Sequence, residues 1–365
     1  SGSGFDPVAA NNQVFFVNGE TAEELPAYVA AGATDYLEVT VPSGAGTGTI
    51  YVSSTTGTSN QLPFTVLVAS EEVENDVIGR VNTGSSTRSV TVSPDGARAY
   101  AVAPEADRVI PIDLETLISL PGIPVGDEPW AIDMHPAGTF AYVANRLSGD
   151  VSVIDVLPGS ADENDVVASI NVGVEPMDIV VSPAGDRVYV ANFASEDLSV
   201  IDADESSANF HGIIGSRRTG TGSKSITVAP DGSRVYVGID SGYIVLETVD
   251  YGVIGRVNTG SGTKSVTVSP DGTILVLIDV AGDVFLYDIT PGSDTENQVI
   301  ATVRTGSGAK SATVSPDGAL LFLVMEEDDA VQVYDIEVAS SIGARDEPGG
   351  LPPVELELVA TFQPG

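Results

Sequence analysis

Short alternations of apolar and polar residues, each cut off by Gly, Pro, Asp or Ser, run through most of this chain. SVTVSPDGARAYAVA, AIDMHPAGTFAYVAN, DIVVSPAGDRVYVAN, SITVAPDGSRVYVGI, SVTVSPDGTILVLID and SATVSPDGALLFLVM align without gaps. A period of two marks half-buried strands, and no stretch holds a helical period. In each copy the first strand ends at a tight turn, where Pro presets φ and Gly supplies the positive φ. A third strand closes on Ile/Tyr-Asp (PID, SVID, SVID, FLYD, VQVYD), and a fourth reads VIGRV, VVASI or VIATV. The turn prolines fall at Pro94, Pro136, Pro183, Pro230, Pro270 and Pro316, spaced by 42, 47, 47, 40 and 46 residues. Four-stranded units at intervals of about 40 to 45 residues are the blades of a β-propeller. A lone four-stranded sheet exposes both faces, so the copies must stack around an axis. The expected fold is all-β, with six blades, or seven if more strands exist.

The wording around the turns resembles the YVTN repeat of bacterial and archaeal surface-protein propellers. YVAN stands at 142–145 and again at 189–192, followed by VSVID at 151–155 and LSVID at 198–202. This resemblance covers roughly residues 74–365 and implies a fold more than an activity, because propellers host unrelated functions. The first 70 residues follow another pattern. The Gly-x-Gly-Phe opening (Gly2 to Phe5), the run VPSGAGTGTIYV and the closing LPFTV resemble an IPT/TIG domain, an immunoglobulin-like β-sandwich. That family has one or two strands ahead of its Gly-x-Gly-Phe segment, so the resemblance implies a sandwich incomplete on its N-terminal side. The expected organisation is a sandwich over 1–69, an acidic linker over 70–75 and a propeller over 76–365.

The fourth-strand pattern occurs seven times, at 76–83, at 356–362 and between, whereas first, second and third strands occur six times. Six blades closed by the N-terminal strand leave one strand over. Seven blades need three further strands, expected past Gly365. Six blades are the reading adopted. The spare strand is expected to belong to a longer parent or to pair with a neighbouring copy.

Composition narrows the setting. There are 52 acidic and 15 basic residues, a formal charge of −37, and no cysteine. Phosphate binding needs a basic footprint, so nucleic acid is not an expected partner, and neither is an anionic membrane surface. Thiol chemistry and disulfides are excluded. No transmembrane run, signal peptide or Asn-x-Ser/Thr sequon is present in the sequence. A chain starting without Met is consistent with a removed signal. The setting expected is extracellular or at a cell surface, where acidity serves solubility in salt; a calcium-dependent surface is the alternative.

The only three lysines, Lys224, Lys264 and Lys310, each lie six residues before a turn proline. Arg88, Trp130 (the only Trp) and Met177 fill the same position in the other copies. The loops leading in match as well: TGSSTR, TGTGSK, TGSGTK and TGSGAK. In a propeller this position opens the innermost strand, so these side chains should ring one mouth of the channel. Four cations and an aromatic fed by Gly-rich loops could hold an anion or a sugar acid. The alternative is pairing with carboxylates of neighbouring blades, since copying alone repeats a residue at one position.

Two matched insertions, PGSADENDVV and PGSDTENQVI, carry Asp162, Glu163 and Asp165, and Asp294 and Glu296. These are the hard oxygen donors calcium takes, although the spacing fits no EF-hand loop. Solvated acidic loops are the simpler reading, as for Glu326, Glu327, Asp328 and Asp329. The two histidines, His135 in a turn and His211 in the loop ANFHG, suit structural roles better than a base or zinc site. Nothing near them matches a streptogramin-cleaving propeller lyase. The Gly-rich loops lack the ending and helix of a P-loop.

Two functional classes result. The leading expectation is a non-catalytic scaffold or binding module for adhesion or assembly, including filament formation by strand pairing. Its expected partners are further protein copies, as a homo-polymer, or surface glycans. The other is a propeller enzyme, lyase or hydrolase-like, acting at the channel mouth on an acidic polysaccharide or small cyclic ester.

Overall fold

A computed structural model describes residues 81–336, apart from 306–307, 326–327 and 329, together with 354–356 and 358–362. Between residues 12 and 64 it describes the backbone of six strands. The chain divides into two compact units, Ser1–Asp76 and Val77–Gly365.

In the first unit the strands Asn12–Asn18, Glu24–Gly32, Leu37–Thr40, Gly48–Ser54, Gly57–Thr58 and Leu62–Phe64 join in one antiparallel sheet. Gly48–Ser54 pairs with Asn12–Asn18 and also takes Leu62–Phe64. The two facing sheets of an immunoglobulin-like sandwich are not seen among the described strands. The linker expected at 70–75 lies outside the described residues.

The second unit is an all-β propeller of six blades, and the single 3-10 turn, Pro104–Ala106, is its only helical segment among the described residues. Blade I runs through Val90–Val92, Arg98–Ala103 and Arg108–Asp113; two short strands, Ile118–Ser119 and Ile123–Pro124, share its outer edge. Blade II comprises Pro129–Met134, Phe140–Asn145, Asp150–Asp155 and Val166–Asn171. Blade III is built from Pro176–Val181, Arg187–Asn192, Asp197–Asp202 and Ile213–Arg218. Blade IV follows with Ser225–Val228, Arg234–Ile239, Gly242–Glu247 and Val253–Asn258. Blade V consists of Thr263–Val268, Ile274–Asp279, Val284–Asp288 and Val299–Val303, with Val354–Glu355 added in parallel at its edge. Blade VI ends on the C-terminal run: Ala309–Val314, Leu320–Met325, Ala330–Asp335 and Leu358–Phe362. The C-terminal fourth strand is therefore paired within the chain. Most of its N-terminal counterpart at 76–83 lies outside the described residues.

Each first-to-second-strand turn closes for a local reason. In blade I, Ser93 Oγ donates to Asp95 Oδ1 at 2.6 Å, Asp95 Oδ1 accepts from Ala97 N, and Gly96 takes φ +71°. The second and third strands are buried almost end to end. A strand sandwiched between two neighbouring blades has no solvent face, so its alternation is lost.

The core sits between blades. Tyr100, Val109, Ile132 and Val143 join I to II; Tyr142, Val151, Ile179 and Val188 join II to III. Equivalent clusters join III to IV, IV to V and V to VI. No shared cluster joins VI to I among the described residues. The outer turns reach back to the preceding blade: Tyr100 OH lies 3.4 Å from Asn164 Oδ1, and Tyr243 OH donates to Asn297 Oδ1 at 3.1 Å.

Candidate active site

The inner strand of each blade has a partner on one side only, which leaves alternate backbone groups facing the axis without a ladder. Side chains of the preceding blade take up some of these. Asp133 Oδ2 accepts from Val181 N at 2.7 Å, Asp178 Oδ2 from Ile226 N at 2.9 Å, and Ser225 Oγ from Val266 N at 3.0 Å. The second oxygen of each aspartate accepts from the next residue of its own strand, Met134 N at 2.9 Å and Ile179 N at 3.0 Å.

Both residues are half-buried, and their carboxyl groups are enclosed by protein. Enclosure disfavours the charged form. It pushes the Asp178 carboxyl up to about 7, against two backbone N–H groups and Ser225 that favour the anion, with the charge of Asp133 adding to the rise. Asp133 is raised by the same burial. A carboxyl that gains and loses its proton near neutrality is a candidate acid–base group.

The sequence carries a signal for these two aspartates. Asp178 stands five residues before its turn proline, where blades I, IV, V and VI carry Ser89, Ser225, Ser265 and Ser311. Asp133 stands where four of the other blades carry Thr.

One residue before Asp178, on the same strand, is the position shared by Arg88, Trp130, Met177, Lys224, Lys264 and Lys310. The Arg88 guanidinium lies 3.3 Å from the Trp130 ring centroid, across the boundary between blades I and II. Lys264 Nζ donates to Ala309 O of blade VI at 3.0 Å, again across a boundary. Lys224 Nζ lies 3.6 Å from Asp240 Oδ1 of its own blade. Lys310 is exposed. Arg146, not singled out by its sequence position, sits 5.1 Å from the Trp130 centroid and pairs with Glu128 at 2.7 Å and Glu175 at 3.6 Å. Arg88, Lys224 and Lys264 thus meet a ring, a carboxylate and a carbonyl respectively, each at its own place.

Two of the five candidate calcium ligands are otherwise engaged. Glu163 pairs with Arg98 of blade I and accepts from Gly159 N; Glu296 pairs with Arg234 of blade IV at 3.0 Å and accepts from Gly292 N. Among the described residues no group of three His, Asp or Glu side chains could hold a metal ion. The run at 326–329 lies almost wholly outside the described residues. His135 is a peg between blades: one ring nitrogen meets Gly185 O at 2.9 Å and the other Ala137 N and Thr139 Oγ1 at 3.2 Å. His211 stacks on Phe210 and meets Phe140 and Tyr142 edge-on, far from the inner strands in the sheet order of its blade.

Six blades, two enclosed aspartates on neighbouring inner strands, and Arg88 and Arg146 against Trp130 make up the candidate site. The family model described as "Lactonase, 7-bladed beta-propeller" matches residues 47–223, just under half of the chain and inclusive of Trp130, Asp133 and Asp178. No curated protein matches. Among solved structures, Kuenenia stuttgartiensis hydrazine synthase is similar at 21% identity with a TM-score of 0.60, covering 76% of this chain and 86% of that one, a likeness of fold. The expectation of a non-catalytic scaffold for adhesion or filament assembly is overturned by the lactonase-family match, which points to an enzyme-like propeller. The physical cause is that Asp133 and Asp178 are raised by enclosure in the assembled ring, which their places in the sequence do not show. No helix among the described residues is long and apolar enough to cross a membrane.

Proposed function

We propose that the propeller hydrolyses a small cyclic ester of a sugar acid at its channel mouth. The observation that carries this reading is Asp178, a carboxyl titrating near neutrality inside the stretch that resembles the lactonase family. In its ionised form Asp178 takes a proton from water as the water oxygen bonds to the lactone carbonyl. The ring C–O bond breaks as the departing alkoxide takes that proton back from Asp178, and a hydroxy acid leaves with the carboxylate restored. Lys224, Lys264, Lys310 and Arg88, with Trp130 beside them, hold the substrate's anionic group at the rim and offset charge developing on the carbonyl oxygen. Arg146 keeps Trp130 in place from its seat between Glu128 and Glu175. No metal is required by this scheme, and the acidic insertion loops act as clasps between blades.

The repeat wording at 142–145 and 189–192 supports a YVTN-type origin for the propeller. The pattern over 1–69 supports an IPT/TIG-like accessory domain outside the catalytic unit.

The test is acid release followed in a pH-stat over a panel of small-ring lactones, each carboxylated compound set against its methyl ester. The carboxylated forms should be preferred, and kcat should rise with pH through about 7 as Asp178 ionises. Asp178→Asn should lower kcat by about a hundredfold or more. Replacing the three lysines by Met should lower kcat for both and raise KM for the acid alone. Wild-type protein that releases no more acid than Asp178→Asn on every lactone tried would end the proposal.

A further inference from the structure

Backbone N–H groups leave the free edge of an inner strand with a fixed parity. Ser182, Ala229 and Ser269 donate theirs to the carbonyls of Arg187, Arg234 and Ile274 on the second strand, at 2.8, 2.9 and 2.9 Å. In an antiparallel pair the direction alternates, so the residue just before each of them turns its N–H away from the sheet, toward the axis. The residue two places further back does the same. In blade III these outward groups are Val181 N and Ile179 N. The first donates to Asp133 Oδ2 of blade II at 2.7 Å, the second to Asp178 Oδ1 at 3.0 Å. In blade IV they are Val228 N and Ile226 N. Ile226 N donates to Asp178 Oδ2 at 2.9 Å, whereas Val228 N meets no acceptor among the described residues.

The cause is one residue of the preceding blade. Asp133, which supplies Val181 N, stands three places before its turn proline. The six blades carry Thr91, Asp133, Val180, Thr227, Thr267 and Thr313 at that position. Val180 is the one member of this column without a side-chain oxygen. It packs into the cluster between blades III and IV that holds Ile226 and Val228. Methyl groups therefore stand in the place from which Asp133 offers an oxygen one blade earlier. An unpaired backbone donor costs free energy comparable to a lost hydrogen bond. Thr has nearly the same shape as Val, so packing alone gives no reason to forgo the oxygen here.

The unpaired amide belongs to the same strand edge as the partner of Asp178. N–H groups two residues apart on one edge are about 7 Å apart. Asp178 Oδ2 marks one end of that interval, beside Ile226 N, and Val228 N marks the other. A water held on the carboxylate, attacking a carbonyl whose oxygen points at Val228 N, spans a gap of this size.

We infer, resting on the lactone hydrolysis proposed above, that the Val228 amide is the hydrogen-bond donor to the lactone carbonyl oxygen, and that valine at position 180 keeps this amide open for substrate. As the water oxygen bonds to the carbonyl carbon, the π pair of the C=O bond moves onto its oxygen, and the Val228 N–H holds that anion. When the ring C–O bond breaks, the pair returns to re-form the C=O bond of the acid. The amide is fixed by its strand, so it needs no reorganisation while the charge forms.

Val180→Thr restores the oxygen that the other blades carry, and its hydroxyl should cap the amide. Hydrogen exchange read by amide NMR should then slow at Val228 at least about tenfold, toward the rate of Val181. On the lactone panel kcat should fall at least about tenfold, with no loss of stability in urea. Val180→Ala removes methyl groups and adds no acceptor, so it should leave Val228 exchange fast and kcat near that of wild type, even at some cost in stability. A wild-type Val228 amide that exchanges as slowly as that of Val181 already has an acceptor, and would overturn the inference. So would Val180→Thr protein with Val228 slowed and kcat unchanged, or with Val228 exchange unchanged. An equal fall of kcat in Val180→Ala would make the effect one of packing, with the same consequence. Wild-type protein no more active than Asp178→Asn would remove the reaction itself, a failure read in the pH-stat and separate from the exchange rates.

Discussion

Two single residues carry opposite pH signatures. Asp178 titrates at about 7 in the folded chain against 3.8 for an unperturbed group. Between those values the folded state keeps a proton that the unfolded state has lost, so this group's contribution to stability falls as pH rises from about 4 to about 7 and is constant above. Asp133 shifts the same way. Asp178→Asn removes this slope even if it costs absolute stability by placing an amide donor against Ile179 N or Ile226 N. Urea midpoints between pH 4 and 8 should therefore vary less in the variant; equal slopes would show that Asp178 is not raised. His211 works in reverse. Burial holds its imidazole below the usual range, so stability is lost as pH falls below about 6.5. Its Nε2 and the hydroxyl of Tyr142 are both buried without a partner. At the corresponding place blades II and V use Asn164 and Asn297, also with positive φ, and each meets a tyrosine hydroxyl. Asn tolerates the left-handed region, so His211→Asn should stabilise by about 1 kcal/mol at neutral pH and remove the acid loss. A destabilised variant in urea titration would refute the assignment of this mismatch.

At the scale of the element, the turns between first and second strands are interchangeable in sequence but not in surroundings. Gly96 has φ +71° and open space where a Cβ would stand, so Gly96→Ala meets only the left-handed penalty of about 1 kcal/mol. Gly185 has nearly the same φ, but its Cβ would lie 2.5 Å from His135 Nε2, the nitrogen that bonds Gly185 O. Gly185→Ala should cost about 3 kcal/mol, since the peg between blades II and III must move as well. Equal losses in chemical denaturation would mean that the His135 contact contributes nothing. The same contrast explains what the sequence made legible. Strand order within each blade follows from alternation and from the Pro-Asp-Gly turn, both local, and the place of Lys264 and Lys310 on inner strands follows from counting residues before the proline. The raised carboxyl was hidden because Asp178 owes its shift to burial in the assembled ring, where its hydrogen-bond partner Ile226 lies on another blade 48 residues away in sequence. A carboxylate standing in a column of serines was the only trace of it. The clasps Arg98–Glu163 and Arg234–Glu296 were hidden likewise, each joining groups more than 60 residues apart that look solvated when read singly.

Across the whole chain, charge sets the response to salt. Fifteen cations face 52 carboxylates, and the ion pairs Arg98–Glu163, Arg146–Glu128, Arg218–Glu196 and Arg234–Glu296 already occupy several of those cations. Salt weakens each such partly exposed pair by at most ~1 kcal/mol. It also screens the mutual repulsion of the remaining carboxylates, a net charge of −37 that folding concentrates into a smaller volume. The second effect acts on many more charge pairs and over longer distances, so it should decide the sign. As the Debye length shrinks from about 30 Å at 0.01 M to about 3 Å at 1 M, the melting temperature should rise, steeply at first and then level off. Sodium chloride and sodium nitrate should act alike below about 0.3 M, where screening dominates over ion-specific effects on apolar hydration. A melting temperature that falls on adding salt would mean that the inter-blade ion pairs outweigh the repulsion. In that case substituting Arg98 and Arg234 by Met would remove most of the salt dependence.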